Sequence, residues 1–363
     1  MLYLISLLSL SLPFQLVYHF DIFATSVYGF SIDYLIPKLY LTDVVTLLVI
    51  FFGIRKIKFT RKYLIFTLLY LMFASINIYN SLFATPAIYG WIKVSEMLLL
   101  GLVIINLKKF DIYNHFIKPL SYSIFIVCVL GLLQFLTKGS IGGIFYWLGE
   151  RAFIFSDPNV APYPYATFSH PNSFAGFLLI FGMFLLQLKS KFNPRYFWAL
   201  LILVITNLIL TNSLNVYLTV LVLLLVKLRT IFASGLFFID FGERFIVHRI
   251  ELIKASLQLI KENFWTGTGV NNFIPGLVKV SNTYLNVWEM QPVHNIFLLV
   301  FSETGIMGVI VFCFVLLAGV TSVNYYLIAI IFTGMSDHYW ITLQQNLLLF
   351  TFVLALSKIA KKH

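Results

Sequence analysis

The sequence has few charged residues. Asp, Glu, Lys and Arg make up 11% of its 363 residues, whereas they make up about 25% of a typical soluble globular chain. Hydrophobic residues fill 60% of the positions instead, and 38 residues are Phe. This composition excludes an ordinary soluble enzyme and indicates a membrane protein without a separate soluble domain.

Cysteine is almost absent, and the sequence contains no Cys or His spacing typical of a metal site. The two cysteines, Cys128 and Cys313, each lie midway along an apolar run. Both are typical of small buried hydrophobic residues, and they cannot form a disulfide framework or a cysteine metal site.

A basic start is also missing. No Lys or Arg precedes the apolar run of the first 20 residues, although a secretory signal peptide begins with a positively charged region and ends at a small-residue cleavage site. We therefore expect residues 1–20 to be retained as the first membrane span.

The chain contains twelve apolar runs, and a membrane-spanning helix needs about 20 such residues. The runs lie near residues 2–20, 34–53, 63–79, 87–107, 118–137, 170–188, 196–210, 213–227, 230–240, 293–317, 322–336 and 339–357. They predict an all-α polytopic membrane protein of about twelve transmembrane helices, folded as a single membrane domain over residues 1–363.

The basic residues predict the orientation of these helices. Sixteen of the 25 Lys and Arg residues lie in every second connection, which by the positive-inside rule faces the cytoplasm. Both termini then lie in the cytoplasm, and the two longest connections, residues 138–169 and 241–292, lie outside it. The same rule accounts for the net charge of +11, so we expect the lipid bilayer, and not nucleic acid, as a partner.

The larger outer loop contains a predicted amphipathic helix that runs from Arg244 to Phe264. Its apolar residues recur at spacings of four and three, and they form one stripe made of Ile246, Ile250, Ile253, Leu257, Ile260 and Phe264. Arg249 projects from the middle of this apolar arc. Its guanidinium either reaches out to lipid headgroups or faces inward and binds an anion such as phosphate.

Residues 265–273, with the sequence WTGTGVNNF, follow this helix. Gly267 and Gly269 let the backbone turn sharply and approach either a ligand or a neighbouring helix. No strand precedes them, so a dinucleotide-binding site is excluded.

The next apolar helix is predicted to begin at Pro292, because proline is favoured in a first helical turn. His294 and Asn295 then lie at the outer boundary of the membrane. His294 is either a histidine whose hydrogen bonds are satisfied at the interface or a general base. Glu303 lies deeper in the same helix, as a buried carboxylate paired with a polar neighbour or as a relay group.

Three further polar positions are notable. Pro171 indicates a helix start capped by Ser169 or His170, and Asn172 in its first turn bonds the backbone or a ligand. Lys93 and Glu96 are one helical turn apart and are expected to pair. A last polar pair, Asp337 and His338, lies between the two final apolar runs.

Taken in order, four of these pieces resemble the O-antigen ligase and polymerase family of bacterial membrane glycan enzymes. They are residues 167–176 (TFSHPNSFAG), the Arg249 helix with the glycine turn, residues 294–308 with His-Asn at their start, and residues 337–345. Two family arginines are replaced, by Tyr163 and Leu214, and Arg151 or Arg244 could supply the missing charge.

The resemblance implies a GT-C-like helical fold and glycan transfer that needs no metal or other cofactor. It implies that Arg249 binds the diphosphate of a polyprenyl-linked glycan donor and that His294 acts on a hydroxyl of a glycan or glycolipid acceptor. Supporting substrate contacts are expected from polar neighbours in the same motifs, namely Arg244, His170, Asn172, Asn295, Asp337 and His338. The site would face outward from the bacterial cytoplasmic membrane.

The sequence therefore favours an integral-membrane glycosyltransferase of surface polysaccharide assembly. Two other functions stay open at this point: a transporter or flippase of lipid-linked sugars, and an inactive family member that binds lipid-linked glycan. A transporter would be expected to have paired repeats and several charges inside the membrane, whereas the clear mid-span charges here are Lys93, Glu96 and Glu303. Ligase and polymerase cannot be distinguished from the residues alone.

Overall fold

Helices form most of the chain in the computed structural model, which describes residues 1–23, 25–57, 60–157, 161–228, 243–281, 289–319 and 324–359. Three helices are long and apolar enough to cross a membrane: Ala84–Ile105, Tyr113–Thr137 and Ile296–Leu317. Seven shorter apolar helices accompany them within the described ranges. The predominantly helical architecture is therefore confirmed, while the ninth predicted span, residues 230–240, lies outside the described residues.

The helices are numbered in chain order through these ranges. They are α1 (Leu2–Ser11), α2 (Leu41–Gly53), α3 (Arg61–Tyr79), α4 (Ala84–Ile105), α5 (Lys118–Thr137), α6 (Ile144–Trp147), α7 (Pro171–Gln187), α8 (Pro194–Leu210), α9 (Leu214–Leu228), α10 (Glu243–Glu262), α11 (Phe273–Val280), α12 (Ile296–Gly319), α13 (Tyr325–Gly334), α14 (Tyr339–Thr342) and α15 (Gln344–Ile359). Short strands lie between α1 and α2, namely β1 (Val17–His19), β2 (Ser26–Val27), β3 (Phe30–Ser31) and β4 (Lys38–Tyr40).

The first two apolar runs do not form continuous helices as predicted. Helix α1 ends at Ser11, just before Pro13, because the proline ring cannot continue a helix. The chain then forms β1, which pairs antiparallel with β4, and α2 begins only at Leu41. Residues 13–23 and 25–40, called the N-terminal arm below, thus form a small β structure where the sequence suggested parts of two spans.

Helix α7 lies at the centre of the main hydrophobic core. Its residues Leu178, Ile180 and Phe181 are fully buried. A helix with apolar residues on every side is typically surrounded by other parts of the protein. The core around it also includes α1, α5, α8 and α15, where Phe116 and Phe352 stack with ring centroids 4.3 Å apart. This packing fixes the N-terminal end of α7, which carries His170 and Asn172.

Helix α12 is interrupted at Gly305, where the backbone adopts φ 65° and ψ −170°. The glycine turn lies against this break: the Thr268 N–H donates to the Ser302 carbonyl at 2.9 Å, and the Gly269 N–H donates to the Glu303 carbonyl at 3.0 Å. A Cβ on Gly267 would lie 2.2 Å from the Glu303 carbonyl carbon. The turn therefore approaches a neighbouring helix, which was one of the two alternatives left open by the sequence.

The side chain of Glu303 fixes the next helix. Its Oε1 accepts the Phe273 backbone N–H at 3.2 Å, at the start of α11. The Glu303 carboxylate therefore contacts a helix N-terminus, where backbone N–H groups favour a negative charge.

The apolar arc of α10 is divided between two environments. Ile250 and Leu257 are 45% and 53% exposed, whereas Leu252, Ser256 and Leu259 are buried against the protein. Arg249 belongs to the buried half, since residues 249, 252, 256 and 259 recur at helical spacing. The helix thus turns Arg249 toward the interior.

Candidate functional site

A cavity of about 1710 Å³, called the central cavity, is lined by segments that are far apart in the sequence. Six of the predicted site residues line it: His170, Asn172, Arg249, His294, Asp337 and His338. They come from the start of α7, from α10, from the approach to α12, and from the segment before α14. The fold therefore brings most of the predicted site residues together.

Asp337 connects three of these segments. Its Oδ1 lies 3.6 Å from Nδ1 of His294 and accepts the His338 backbone N–H at 2.8 Å. Its Oδ2 accepts an N–H of the Asn172 side chain at 3.1 Å. Burial acts to raise the pKa of Asp337, but the contact with His294 and the nearby His338 and His170 lower this pKa below the ordinary carboxyl value. Asp337 is therefore a carboxylate at neutral pH.

His338 packs beside His294, with 5.2 Å between the two ring centroids. Its Nδ1 lies 2.7 Å from the Thr342 hydroxyl, within hydrogen-bonding distance. Burial lowers the pKa of His338 to about 3, and the attraction of Asp337 only partly opposes this. The ring is therefore neutral at physiological pH.

His170 is the side-chain cap of α7, one of the two caps predicted from the sequence. Its Nδ1 accepts the Asn172 backbone N–H at 3.1 Å, which satisfies an N–H of the first turn. Burial lowers the pKa of His170; Asp337 opposes this shift, and the positive charges of Arg249 and Arg151 add to it. Both arginines are thus close enough to His170 to act on its charge.

The two arginines hold main-chain carbonyls beside the cavity. Arg249 donates from Nη1 to the Ser336 carbonyl at 3.2 Å, next to Asp337. Arg151 donates from Nη1 to the Ser169 carbonyl at 3.2 Å, and its guanidinium lies 5.6 Å from the centre of the Tyr165 ring. Each bond uses one of the five N–H donors of a guanidinium. Both side chains line the central cavity.

Residues 165–313 match the family model described as O-antigen ligase. This part of the chain is similar to the O-antigen ligases. This finding confirms the family resemblance seen in the motifs, and no curated protein matches the chain. The matched residues include His170, Asn172, Arg249 and His294, whereas Asp337 and His338 follow the matched segment.

Three lysines also line the central cavity. Lys358 lies at the end of α15, whereas Lys38 and Lys93 are neutralised by carboxylates. Lys38 pairs with Asp33 at 2.6 Å. Lys93 pairs with Asp43 at 2.5 Å and with Glu96 at 3.3 Å. The predicted Lys93–Glu96 pair is therefore present, and a second acid from α2 accompanies it.

Beyond its polar end, the cavity continues as an apolar groove between α4, α12 and α15. The groove extends along α15 as far as Lys358. Its lining is apolar for most of this length, with Leu102, Ile105, Val311, Val315, Leu347, Phe350 and Leu354 among its residues. The protein thus has a polar chamber that opens onto a long hydrophobic groove.

Two predicted site residues are not placed in the cavity. Asn295 does not appear among the described residues that line it. Its Oδ1 accepts the N–H groups of Phe297 and Leu298 at 2.9 and 3.0 Å, so it caps α12. The helix consequently begins at Ile296 rather than in a turn containing Pro292. The side chain of Arg244 lies outside the described residues.

His294, Asp337 and His338 also form a group with the geometry needed to hold a metal ion. One possible ligand atom from each residue lies within 4.8 Å of the other two. Among the described residues, this trio is the group of His, Cys, Asp or Glu side chains close enough together to share an ion. The Asp337 carboxylate already accepts two N–H groups, and three ligands leave a tetrahedral site incomplete. The same atoms also suit a histidine–carboxylate pair that works without a metal. Removing metal ions with a chelator and measuring activity distinguishes a metal site from such a pair.

Sequence reasoning missed the N-terminal arm as a wall of the cavity. Asp33 and Tyr34 line it, and the Tyr34 ring meets the His338 ring edge-on with 5.8 Å between centroids. Pro13 and Pro37 were the available signals, because each interrupts an apolar run that would otherwise read as a helix.

Proposed function

We propose that the protein is an integral-membrane glycosyltransferase that moves a glycan from a polyprenyl-diphosphate carrier to an acceptor hydroxyl without a metal. One observation carries this proposal: Arg249 and His294 line the polar end of the cavity whose other end is the apolar groove. Such a cavity suits a substrate with a charged head and a long hydrocarbon tail. The basic clusters support a site on the extracytoplasmic side of the bacterial cytoplasmic membrane, with both termini in the cytoplasm.

The transfer breaks the bond between the anomeric carbon and the diphosphate oxygen. The acceptor oxygen forms the new bond to that carbon, and its proton passes to His294 as general base. Asp337, beside Nδ1 of His294, orients the imidazole and stabilises its positive charge. The electron pair of the broken bond leaves with the diphosphate.

The departing diphosphate gains negative charge, which fixed cations stabilise without reorganising. Arg249 and Arg151 reach the cavity from α10 and from the loop that follows α6. Arg151 would then provide the charge that Tyr163 and Leu214 do not. Lys38 and Lys93 suit this role less well, because Asp33, Asp43 and Glu96 neutralise them.

The test is in vitro transfer from a lipid-linked glycan by purified variants. We expect Arg249→Ala and His294→Ala each to lower kcat by about 100-fold or more, the range of a lost general base or charge stabiliser. Arg249→Lys should recover part of the rate, because it restores the charge but not two-pronged phosphate contact. Lys254→Ala, an exposed cation on the same helix, is the matched control.

Full turnover by both alanine variants, at normal expression and thermal stability, would exclude this function. Product length then separates the two family activities: a polymerase gives a ladder of glycans on the carrier, whereas a ligase gives a single transfer to another acceptor. A flippase would move labelled glycan across the membrane without forming a new glycosidic bond.

A further inference from the structure

The N-terminal arm is fixed against the matched motif. The Thr167 hydroxyl donates to the Pro13 carbonyl at 2.5 Å, and an N–H of the Gln15 side chain donates to the Ser169 hydroxyl at 3.0 Å. The Gln15 backbone N–H donates to the Leu148 carbonyl at 3.1 Å. These bonds attach the base of the arm to the residues just before His170 and to Leu148, which follows α6.

The far end of the arm is attached as well. Val27, Ile32 and Leu35 form a small apolar cluster with Ile274 of α11 and with Met290. Because the arm is held at both ends, it is a permanent wall of the cavity, and side chains on it have defined positions relative to the reacting groups.

This wall carries a group of three polar side chains that line the cavity: His19, Asp33 and Lys38. Lys38 Nζ lies 2.6 Å from one carboxylate oxygen of Asp33, and His19 Nε2 lies 3.4 Å from the other. The Asp33 side chain is nevertheless 69% exposed. Its carboxylate is therefore held in place while it stays open to a molecule in the cavity.

Aromatic rings border the same wall. Tyr34 follows Asp33 and touches the His338 ring, so this part of the wall is close to the reacting centre. Tyr146 and Trp147 of α6 also line the cavity, although they are 65% and 69% exposed. Trp147 is joined to the arm through Gly149, where an added Cβ would lie 2.5 Å from the Gln15 backbone.

We propose that His19, Asp33 and Lys38, with Trp147 as a stacking surface, form a sugar-binding subsite for the glycan of a lipid-linked or glycolipid substrate. A carboxylate accepts hydrogen bonds from hydroxyls, Lys and His donate to them, and an aromatic face covers the apolar face of a sugar ring. The carboxylate disfavours a second phosphate here, so the subsite takes the uncharged part of the substrate. The inference rests on the proposed transferase function.

The competing explanation is structural. His19 and Lys38 are directly opposite each other in the β1–β4 pair, so Asp33 could serve only to join the two strands. A purely structural contact affects thermal stability and leaves the KM of a correctly folded enzyme unchanged. The loss of a subsite that binds ground state and transition state equally raises KM and leaves kcat unchanged.

The test compares Asp33→Asn and Trp147→Ala with two controls outside the cavity lining, Asp21→Asn in the same arm and Trp198→Ala on α8. Asp21 and Trp198 are both exposed. We expect Asp33→Asn to raise the KM of one glycan substrate about tenfold or more, as for a lost hydrogen bond to a charged group. Trp147→Ala should raise the same KM, and the controls should change neither constant. Varying donor and acceptor separately identifies which glycan occupies the subsite.

A binding measurement keeps this inference separate from the transferase proposal. The probes are lipid-linked glycans extracted from the producing cells and undecaprenyl diphosphate without sugar. Wild-type protein should bind the glycan-bearing lipid more tightly, and Asp33→Asn and Trp147→Ala should remove that preference while binding of the sugar-free lipid stays the same. An unchanged preference and unchanged KM in folded Trp147→Ala and Asp33→Asn would overturn the subsite. An inactive wild-type protein that keeps the preference would overturn only the transferase function.

Discussion

Oδ1 of Asp337 and Nδ1 of His294 lie 3.6 Å apart, although they belong to segments on either side of α12 and α13. Nδ1 of His294 is buried and makes no hydrogen bond at this distance. A small movement on substrate binding would bring the two atoms into hydrogen-bonding contact, as is common for catalytic groups without substrate.

The first prediction concerns this carboxylate as a positioning group for His294. Asp337→Asn keeps the shape of the side chain but removes the charge, so kcat should fall by about 100-fold. Steady-state rates of glycan transfer by the purified variant measure the effect. Asp21→Asn is the control, and an unchanged kcat for Asp337→Asn would contradict the proposed pairing.

A second prediction concerns the break in α12. Gly305 has φ 65°, and an added Cβ would lie 2.4 Å from the carbonyl carbon of Trp265. Gly305→Ala should therefore lower the free energy of unfolding, by about 1–3 kcal/mol for the backbone conformation alone. Gly182→Ala is a matched control, since its Cβ would lie 3.6 Å from a methyl group of Val204. Melting temperatures in detergent compare the two, and equal values would show that the break tolerates a side chain.

The third prediction is a dependence of stability on pH. The pKa of His338 is about 3 in the folded protein and about 6.5 in an unfolded chain. Between these values the unfolded chain binds the proton, so stability should fall as the pH drops from about 6.5 toward 3. The lowered pKa of Asp337 acts in the same direction at the acid end.

Melting temperatures measured across this pH range test the effect. His338→Gln should flatten the slope, because glutamine does not titrate. His115→Gln, outside the described cavity lining, should keep it. A slope that is the same in wild type and His338→Gln would assign the pH dependence to other groups.

A fourth prediction concerns metal ions. Chelation with EDTA should leave glycan transfer unchanged, since Arg249 and Arg151 are proposed to stabilise the leaving diphosphate. The alternative, an ion held by His294, Asp337 and His338, predicts loss of activity with EDTA and recovery with added Zn²⁺ or Mg²⁺. Metal analysis of the purified protein provides an independent check.

The parts of the site that depend on neighbouring residues were predictable from the sequence. Pro171 fixes the first turn of α7, which makes His170 the residue before the helix. The His170 side chain then lies two residues from the Asn172 N–H that it accepts as a cap. The Lys93–Glu96 pair follows from helical spacing. The approach of Asp337 to His294 depends on tertiary packing instead, and only the order of the family motifs indicated that these segments belong to one site.

The N-terminal arm could not be predicted for a different reason. Its two ends, residues 13–20 and 34–40, belong to predicted apolar runs, and hydrophobicity alone does not distinguish a short strand from part of a helix. Pro13 and Pro37 marked the ends, but the pairing of β1 with β4 is a non-local contact. The division of the α10 arc into a buried and an exposed half also depends on which neighbours cover it.

Because the arm is attached through Pro13 and Gln15, the choice of sugar and the reaction itself depend on different parts of the chain. The groups proposed to break and form bonds belong to α10, to the start of α12 and to the segment before α14, whereas the arm supplies a wall from a different part of the chain. Grafting residues 17–40 from a homologue, with Pro13 and Gln15 retained as anchors, would therefore exchange the selectivity of the cavity for its sugars while the reaction itself is preserved.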